Sequence, residues 1–287
     1  MSTSLIPGPD AETRPPVRPL PAGACDAHCH VFGPGDRFPY VAESTFVTPD
    51  APATALTRMH AVLGIERVVL VQASCHGYDN SAMLDAIAAD PQHRRGVAMV
   101  ETDVAEAALD ALQEGGVRAI RLNFVRHLAQ RPALPDAERI IRRVAERGWH
   151  VELHMDASDI PDLEPWIASL SGRFVIDHMG RVPASEGIHQ ASFRSVLRLL
   201  ERPNAWVKIS GGGRLSSGPS FHDAVPFAQA ILRLAPNRAV WGTDWPHSNI
   251  RTAMPNDGAL ADLLYKYADE PVVKRVLVDN PTALYWP

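Results

Sequence analysis

The hydrophobic pattern from residue 24 onward alternates between short apolar runs and longer stretches with one apolar face. The short runs predict eight β-strands, at 24–31, 67–72, 96–100, 118–122, 150–154, 174–178, 206–210 and 240–244. The longer stretches predict helices between them, among them 81–89, 106–114, 136–147, 160–170, 190–201 and 223–234. Eight strand–helix repeats over about 260 residues are typical of an α/β protein with a (β/α)8 TIM barrel. A doubly wound open sheet is the alternative, but no Gly-x-Gly-x-x-Gly follows the first strand.

The segment before the first strand has a different composition. Residues 1–23 contain six prolines and no continuous apolar run. Because proline fixes φ and lacks a backbone donor, such a segment favours an extended chain, either disordered or wrapped over the surface of the barrel. We therefore predict an extended Pro-rich N-terminal arm at 1–23 and a single barrel domain at 24–287.

The overall charge argues against some classes of partner. The formal net charge is −5, the sequence pI is about 6.2, and Lys and Arg are dispersed. This pattern offers no basic surface for nucleic acid or for an anionic membrane. No apolar run approaches the roughly 20 residues that span a bilayer. Three cysteines cannot form a disulfide framework, so we expect a cytoplasmic protein. The sequence does not determine the oligomeric state, and it is compatible with a homo-oligomer.

Histidines and one aspartate stand where predicted strands end. His28 and His30 alternate along the first strand and therefore point to the same face. His154, His178 and Asp244 close the fifth, sixth and eighth predicted strands. In a barrel of this kind the carboxyl ends of the strands form the active site, so these side chains are expected to converge. Each alone could be a polar residue leaving a strand, but five at the same end indicate one site.

The donor types indicate a metal-assisted reaction. Three neutral imidazoles and one carboxylate suit a single zinc ion or another divalent ion such as manganese. The predicted ligands are His28, His30, His154 and Asp244. His178 is then free to act as a general base or to position a carbonyl group, and Asp244 could itself take the proton of an attacking water. The sequence leaves the choice between these two bases open.

Five short motifs resemble a known enzyme family. They are DAHCH at 26–30, IDHMG at 176–180, WGTDWPH at 241–247, VQASCHGYDN at 71–80 and VDNP at 278–281. The first three are similar to the amidohydrolase superfamily, in its amidohydrolase-2 branch. The other two are similar to its lactonase group, which includes 2-pyrone-4,6-dicarboxylate lactonase and 4-sulfomuconolactone hydrolase. The resemblance covers nearly all of residues 24–286 and implies a (β/α)8 barrel.

The resemblance also implies an activity. The implied enzyme is a hydrolase of the ester or lactone type that opens a small carboxylated or sulfonated lactone, in aromatic or sugar-acid catabolism, by attack of an activated water on the ring carbonyl. A metal-dependent decarboxylase of an aromatic or muconate-type acid is the alternative, and a barrel that only binds small acids is a third. The pyrone lactonase is regarded as metal-free and has tyrosine where this chain has His154. The ligand set here is therefore fuller and resembles that of the metal-dependent members, although a metal-independent mechanism stays open.

An anionic substrate requires cations at the mouth of the barrel. Arginine suits this role because its planar fork binds a carboxylate or sulfonate through two hydrogen bonds. Polar and aromatic side chains in the neighbouring loops could complete the contacts, although ordinary turn chemistry or a surface position is the alternative for several of them. The predicted substrate-binding residues are Arg121, Arg126, Arg214, Ser74, His76, Asn80, Phe46 and His247.

Overall fold

The fold is built around one sheet of eight parallel strands. The structure, a computed structural model, describes residues 4–42, 44, 46–128, 131–216, 218, 220–248, 250 and 254–287. The strands follow one another around the sheet in chain order. They are β1 (Cys25–Cys29), β2 (Arg67–Val71), β3 (Arg94–Ala98), β4 (Val117–Asn123), β5 (His150–His154), β6 (Phe174–Ile176), β7 (Ala205–Lys208) and β8 (Ala239–Val240).

The sheet closes into a barrel through the segment that follows β8. The backbone N–H of His30 donates to the carbonyl of Trp245, and that of Asp244 donates to the carbonyl of His28, each at 2.8 Å. Gly242 permits this approach, since a Cβ there would lie 2.3 Å from the backbone nitrogen of His28. The (β/α)8 barrel predicted from the sequence is thus confirmed.

Helices cover the outside of the barrel, each with one apolar face turned inward. They are α1 (Ala53–Leu63), α2 (Ser81–Ala88), α3 (Glu106–Glu114), α4 (Leu134–Ala145), α5 (Ile160–Ser169), α6 (Ala191–Leu200), α7 (Gly212–Leu215), α8 (Val225–Leu234), α9 (Asp257–Tyr267), α10 (Glu270–Lys274) and α11 (Asn280–Tyr285). In α4 the buried Ala137, Ile140, Ile141 and Val144 recur at spacings of three and four residues, which places them on one stripe. Of the helices described, none combines the length and the apolar character that crossing a membrane requires.

Six strands end one to four residues earlier than the sequence predicts, and β6, β7 and β8 are three of them. β6 ends at Ile176, β7 at Lys208 and β8 at Val240, whereas the predicted strands continue to 178, 210 and 244. The backbone of the residues that follow explains the sixth and the eighth, because φ is 49° at His178 and 64° at Asp244. A residue with positive φ cannot continue a strand. Both side chains therefore belong to loops at the carboxyl end of the barrel.

The N-terminal segment lies against the outside of the barrel. Its first described residues, Ser4–Leu5, pair in parallel with Phe46–Val47. Further along, the guanidinium of Arg14 contacts the carboxylate of Asp262 in α9 at 2.7 Å. Residues 1–3 of the predicted arm lie outside the described residues. A division between an arm at 1–23 and a barrel domain at 24–287 stays a prediction.

The interior of the barrel contains charged side chains as well as apolar ones. Glu152 of β5 and Lys208 of β7 are fully buried and form an ion pair, with Nζ 2.6 Å from Oε2. The hydroxyl of Tyr285, at the end of α11, donates to the other oxygen of Glu152 at 2.7 Å. The C-terminal helix is thereby tied to the barrel interior.

Candidate active site

Asp244 is the point at which the polar side chains of the barrel mouth meet. Its Oδ1 lies 3.7 Å from Nε2 of His28, 3.6 Å from Nε2 of His30 and 3.9 Å from Nε2 of His178. The ring of His154 lies next to this group, with its centroid 5.8 Å from that of His178. All five side chains are buried. The structure therefore brings together the five residues that stand at the predicted strand ends.

Asp26 connects the two halves of this group. One of its oxygens accepts hydrogen bonds from the backbone N–H groups of His28 and Thr243, each at 3.1 Å. The other accepts from the hydroxyl of Thr243 at 2.6 Å and lies 3.0 Å from Nε2 of His60. Because Thr243 directly precedes Asp244, this fully buried carboxylate fixes the distance between β1 and the loop after β8. Asp26 was not among the predicted site residues.

The loop after β6 holds His178 in a left-handed turn. His178, Met179 and Gly180 have φ of 49°, 53° and 75°. Nδ1 of the histidine lies 3.0 Å from the hydroxyl of Ser210. The next residue, Gly211, packs so closely that a Cβ there would lie 2.7 Å from the same nitrogen. The position of His178 therefore depends on a glycine in a neighbouring loop.

The imidazoles of the site are held in their neutral form. Burial is the main cause, and it lowers the pKa of each ring because the charged form loses its hydration. The rings affected are His28, His30, His154 and His178. Neighbouring cations add to the effect, as Lys208 does beside His28. Neutral rings can offer either a lone pair or an N–H at Nε2.

Asp244, in contrast, is held as a carboxylate. Burial alone would favour its neutral form, but the guanidinium of Arg214 and the neighbouring imidazoles together outweigh burial and hold the pKa of Asp244 well below its usual range. The contact is bidentate, with Nε 2.6 Å from Oδ2 and Nη2 2.9 Å from Oδ1. Such a fork-to-fork contact is among the strong charge-assisted hydrogen bonds.

The donor set fits a divalent ion in type and spacing. Donor atoms of His28, His30 and Asp244 all lie within 4.8 Å of one another. Within the described part of the chain, Nε2 of His28, His154 and His178 is buried without a hydrogen-bond partner. A buried imidazole nitrogen without a partner is the kind of atom that an ion or a water satisfies.

The outward nitrogens of two rings agree with ligation. Nδ1 of His30 lies 2.8 Å from the carbonyl of Val71, and Nδ1 of His154 lies 3.0 Å from the amide oxygen of Asn123. Since these oxygens can only accept, each Nδ1 carries the hydrogen and each Nε2 keeps its lone pair. Metal-bound histidines usually make this second hydrogen bond. His28 differs, because its Nδ1 faces the ammonium of Lys208 at 2.9 Å.

A small cavity opens beside the group around Asp244. Three guanidinium groups line it, those of Arg121, Arg181 and Arg214, together with the rings of His30 and His154. A pocket with this many cations and one adjacent carboxylate is suited to a small anion with more than one charged group.

Four of the predicted substrate-binding residues line this cavity. They are Arg121, Arg214, Ser74 and Phe46. Arg121 is 6 % exposed and donates through Nη2 to the carbonyl of Gln72 at 2.7 Å. Its Nε is buried without a partner among the described residues, so one donor is left to face a ligand.

The other four predicted residues do not line the cavity, and each contacts a partner elsewhere. Both ring nitrogens of His76 are engaged, by the backbone N–H of Gly33 and the carbonyl of Pro39. The amide of Asn80 donates to backbone carbonyls, including that of Met99 at 2.9 Å. These two contacts hold the loop after β2 rather than reaching into the cavity.

Arg126 and His247 are directed toward aspartates. The Arg126 side chain forms an ion pair with Asp159 and remains 64 % exposed. Nε2 of His247 lies 3.0 Å from Oδ1 of Asp257, and this contact outweighs burial and raises the pKa of His247. Their proposed contacts with substrate stay predictions that this arrangement does not support.

Two functional candidates were not predicted. Arg181 follows His178 by three residues in the same left-handed turn and lines the cavity. Its Nη1 lies 3.0 Å from Asp156, and its Nε is buried without a partner among the residues described. Lys208 is the other. A lysine inside an apolar strand, in a chain with only three lysines, is the signal that could have found it.

Comparison with known proteins places the chain in a family. The family model for amidohydrolases matches residues 25–286. The chain is 41% identical over 279 residues to a 2-pyrone-4,6-dicarboxylate hydrolase of Comamonas testosteroni, covering 93% of this chain and 92% of the relative. It is 35% identical to a 4-sulfomuconolactone hydrolase of Hydrogenophaga intermedia, covering 97% of this chain and 93% of the relative.

A solved structure agrees with these relatives. It is a probable 2-pyrone-4,6-dicarboxylic acid hydrolase of Acinetobacter baumannii with citric acid bound, with a TM-score of 0.81 and 29% identity, covering 92% of this chain and all of that one. Amidohydrolases often bind a divalent metal. The resemblance carried by the sequence motifs is confirmed, and the chain belongs to the amidohydrolase family.

Proposed function

We propose that this protein is a hydrolase that opens a small anionic lactone by attack of an activated water on the ring carbonyl. The observation that carries the proposal is the cavity at the barrel mouth, where three guanidinium groups face a buried carboxylate and neutral imidazoles. The relatives support the same class, because they are named for hydrolysis of a pyrone dicarboxylate and of a sulfomuconolactone.

The arginines bind the anionic groups of the substrate. Arg121 and Arg181 each have a buried Nε without a partner among the described residues, so each can donate to a carboxylate or sulfonate oxygen. Arg214 also lines the cavity, where it contacts Asp244. Fixing the substrate through its charged groups places the ring carbonyl against the histidines and the carboxylate.

Asp244 is the base in this proposal. It is ionised and lies between three imidazoles, so a water held there can pass its proton to the carboxylate as it attacks. His178 is neutral, and its Nε2 faces the same position. His178 positions the carbonyl of the substrate. It is also the alternative base, and substitution of Asp244 distinguishes the two bases.

A divalent ion, zinc or manganese, suits this donor set. Its ligands would come from His28, His30 and Asp244, with His154 the fourth ligand predicted from the sequence. When bound, the ion would lower the pKa of a water and polarise the carbonyl. Metal analysis of the purified protein with chelator treatment tests this part. One equivalent of ion, lost together with activity, supports it, and full activity without metal contradicts it.

The cellular setting follows from the class of reaction. We place the enzyme in the cytoplasm, in the catabolism of aromatic compounds or sugar acids. The three cysteines Cys25, Cys29 and Cys75 are free and buried, as a reducing compartment allows. Whether the protein forms a homo-oligomer can be determined by measuring its size in solution.

A substrate panel tests the proposed activity. We expect ring opening of 2-pyrone-4,6-dicarboxylate or of a sulfonated muconolactone, with a kcat/KM at least about 100-fold above that of the corresponding neutral methyl ester, since two charge-assisted contacts are lost in the ester. Equal rates on the neutral ester would contradict the role of the arginines. Release of CO2 from a carboxylated aromatic acid, without lactone opening, would favour the decarboxylase alternative.

A further inference from the structure

A fully buried polar network runs along the interior of the barrel to the active site. The hydroxyl of Tyr285 donates to Glu152, and the other oxygen of Glu152 lies 2.6 Å from Nζ of Lys208. Lys208 in turn reaches His28, with Nζ 2.9 Å from Nδ1. These four side chains are completely buried, and they lie on four different elements. None of the steps proposed above uses Lys208.

The contact between Lys208 and His28 fixes the direction of a hydrogen bond. Lys208 forms an ion pair with Glu152, and an ammonium group can only donate. Nδ1 of His28 must therefore accept, which leaves the single hydrogen of the neutral ring on Nε2. The carboxylate of Asp177 is 3.6 Å from the same Nδ1, beyond hydrogen-bond distance.

His28 thus differs from the two other rings near Asp244. His30 and His154 donate from Nδ1 to oxygen atoms and keep a lone pair at Nε2. His28 presents an N–H at Nε2 instead, at 3.7 Å from Oδ1 of Asp244. An N–H in this position can donate to a water or to an oxygen held between the two groups, but it cannot ligate a metal ion.

We propose that Lys208 is a positioning residue, which fixes His28 in the tautomer that carries hydrogen on Nε2 and so directs a hydrogen-bond donor at the water site beside Asp244. The network from Tyr285 through Glu152 keeps Lys208 in place for this role. In this tautomer His28 does not ligate an ion, so an ion held by His28, His30 and Asp244 would have to displace the hydrogen from Nε2. The kinetic part of this inference rests on the proposed function, whereas the tautomer does not.

Nitrogen NMR of the protein labelled with ¹⁵N-histidine tests the tautomer directly. The signals of His28 are assigned as those lost in His28→Gln. We expect an unprotonated Nδ1 and a protonated Nε2 at His28 in the unchanged protein. Lys208→Met removes the donor at similar length, and Nδ1 of His28 should then carry the hydrogen and turn to Asp177. A protonated Nδ1 in the unchanged protein, or an unchanged tautomer in Lys208→Met, would overturn the proposal.

The chain offers a matched control for the loss of a lysine. Nζ of Lys266 lies 2.8 Å from Nε2 of His222 at the exposed surface. Lys266→Met makes the same chemical change at a second lysine–histidine pair. It should leave both the His28 signals and kcat unchanged, so a general effect of losing a lysine would be recognised.

A second variant separates positioning from folding. Lys208→Met strands the buried carboxylate of Glu152, which is costly, whereas Lys208→Met with Glu152→Gln leaves a neutral pair that still accepts from Tyr285. We expect the double variant to fold, to show the altered tautomer, and to lose about tenfold or more in kcat with little change in KM, as for loss of a group that orients a catalytic histidine. A folded double variant with the original tautomer would overturn the assignment to Lys208. An altered tautomer with unchanged kcat would instead show that the contact between Lys208 and His28 does not contribute to catalysis.

Discussion

The carboxylate of Asp244 is surrounded by groups that each restrict what it can do. Three imidazole nitrogens lie between 3.6 and 3.9 Å from its Oδ1, and Arg214 holds both of its oxygens. This combination keeps the group ionised in a site where burial alone would neutralise it. The proposed reaction therefore depends on this one proton acceptor.

Asp244→Asn tests that dependence. The amide keeps the size of the side chain and can still accept one hydrogen bond, but it cannot take a proton. We expect kcat to fall by about 10²–10⁴-fold, the usual contribution of a general base, while the protein stays folded by circular dichroism. Substantial residual activity in Asp244→Asn, together with loss of activity in His178→Gln, would assign the base to His178 instead.

Arg181→Met tests the anion site against a matched surface arginine. Arg181 lines the cavity with a spare buried donor, whereas Arg126 pairs with Asp159 at an exposed position. We expect KM for the anionic lactone to rise about tenfold or more in Arg181→Met, since a hydrogen bond to a charged group contributes about 1.5–3 kcal/mol. Arg126→Met should leave KM unchanged, and an equal rise in both variants would contradict the assignment.

The residues that sequence could and could not predict differ in one physical respect. Strand alternation and strand ends place His28, His30 and Asp244 at the barrel mouth, because those features are local. The partner that draws a side chain away is not local. Asp159 lies 33 residues beyond Arg126 in the chain, and nothing in the sequence around the arginine indicates it.

Loops rather than strands carry two of the residues of the active site. Helix α3 (106–114) and strand β5 (150–154) agree with the predicted bounds to the residue, because the apolar period there changes at the ends of the element. The predicted strands at 174–178 and 240–244 run too far, since the apolar run continues into residues with positive φ. Hydrophobicity does not report that change of backbone conformation, which is the feature that aims His178 and Asp244.

Gly211→Ala tests the packing of two of these loops. A Cβ at Gly211 would lie 2.7 Å from Nδ1 of His178, so the ring must shift, and kcat should fall about tenfold or more because the site tolerates little displacement. Gly148 is the control, since it has φ +75° with nothing within 4 Å of an added Cβ. Both alanine variants should lose about 1–2 kcal/mol of stability from the left-handed backbone. Only Gly211→Ala should lose activity, and equal activities would contradict the packing argument.

The eight strand–helix repeats determine the architecture of the whole molecule, and their number could be read from the sequence. The charged interior could not, because Glu152 and Lys208 pair across 56 residues and each alone interrupts an apolar strand. Burial of so many ionisable side chains also makes the stability of the fold depend on pH. Several histidines that are neutral in the fold become protonated when the chain unfolds.

We predict a loss of stability in acid. The pKa values of His28, His154 and His178 are lowered on folding, so below the ordinary value of 6.5 the unfolded chain binds protons that the folded chain does not. The free energy of unfolding should then fall by about 1.4 kcal/mol per pH unit for each such ring. His247 and Asp177, whose pKa values are raised, act in the opposite direction. Urea unfolding at pH 7.5 and pH 5 measures this, and a chain more stable at pH 5 would contradict it.

In the proposed reaction, water held beside Asp244 attacks the carbonyl of an anionic lactone. A single turnover in ¹⁸O-labelled water, followed by mass spectrometry of the ring-opened acid, tests it most directly. We predict one ¹⁸O atom in the newly formed carboxylate and no loss of carbon. An unlabelled product, or a product that has lost CO2, would contradict the account.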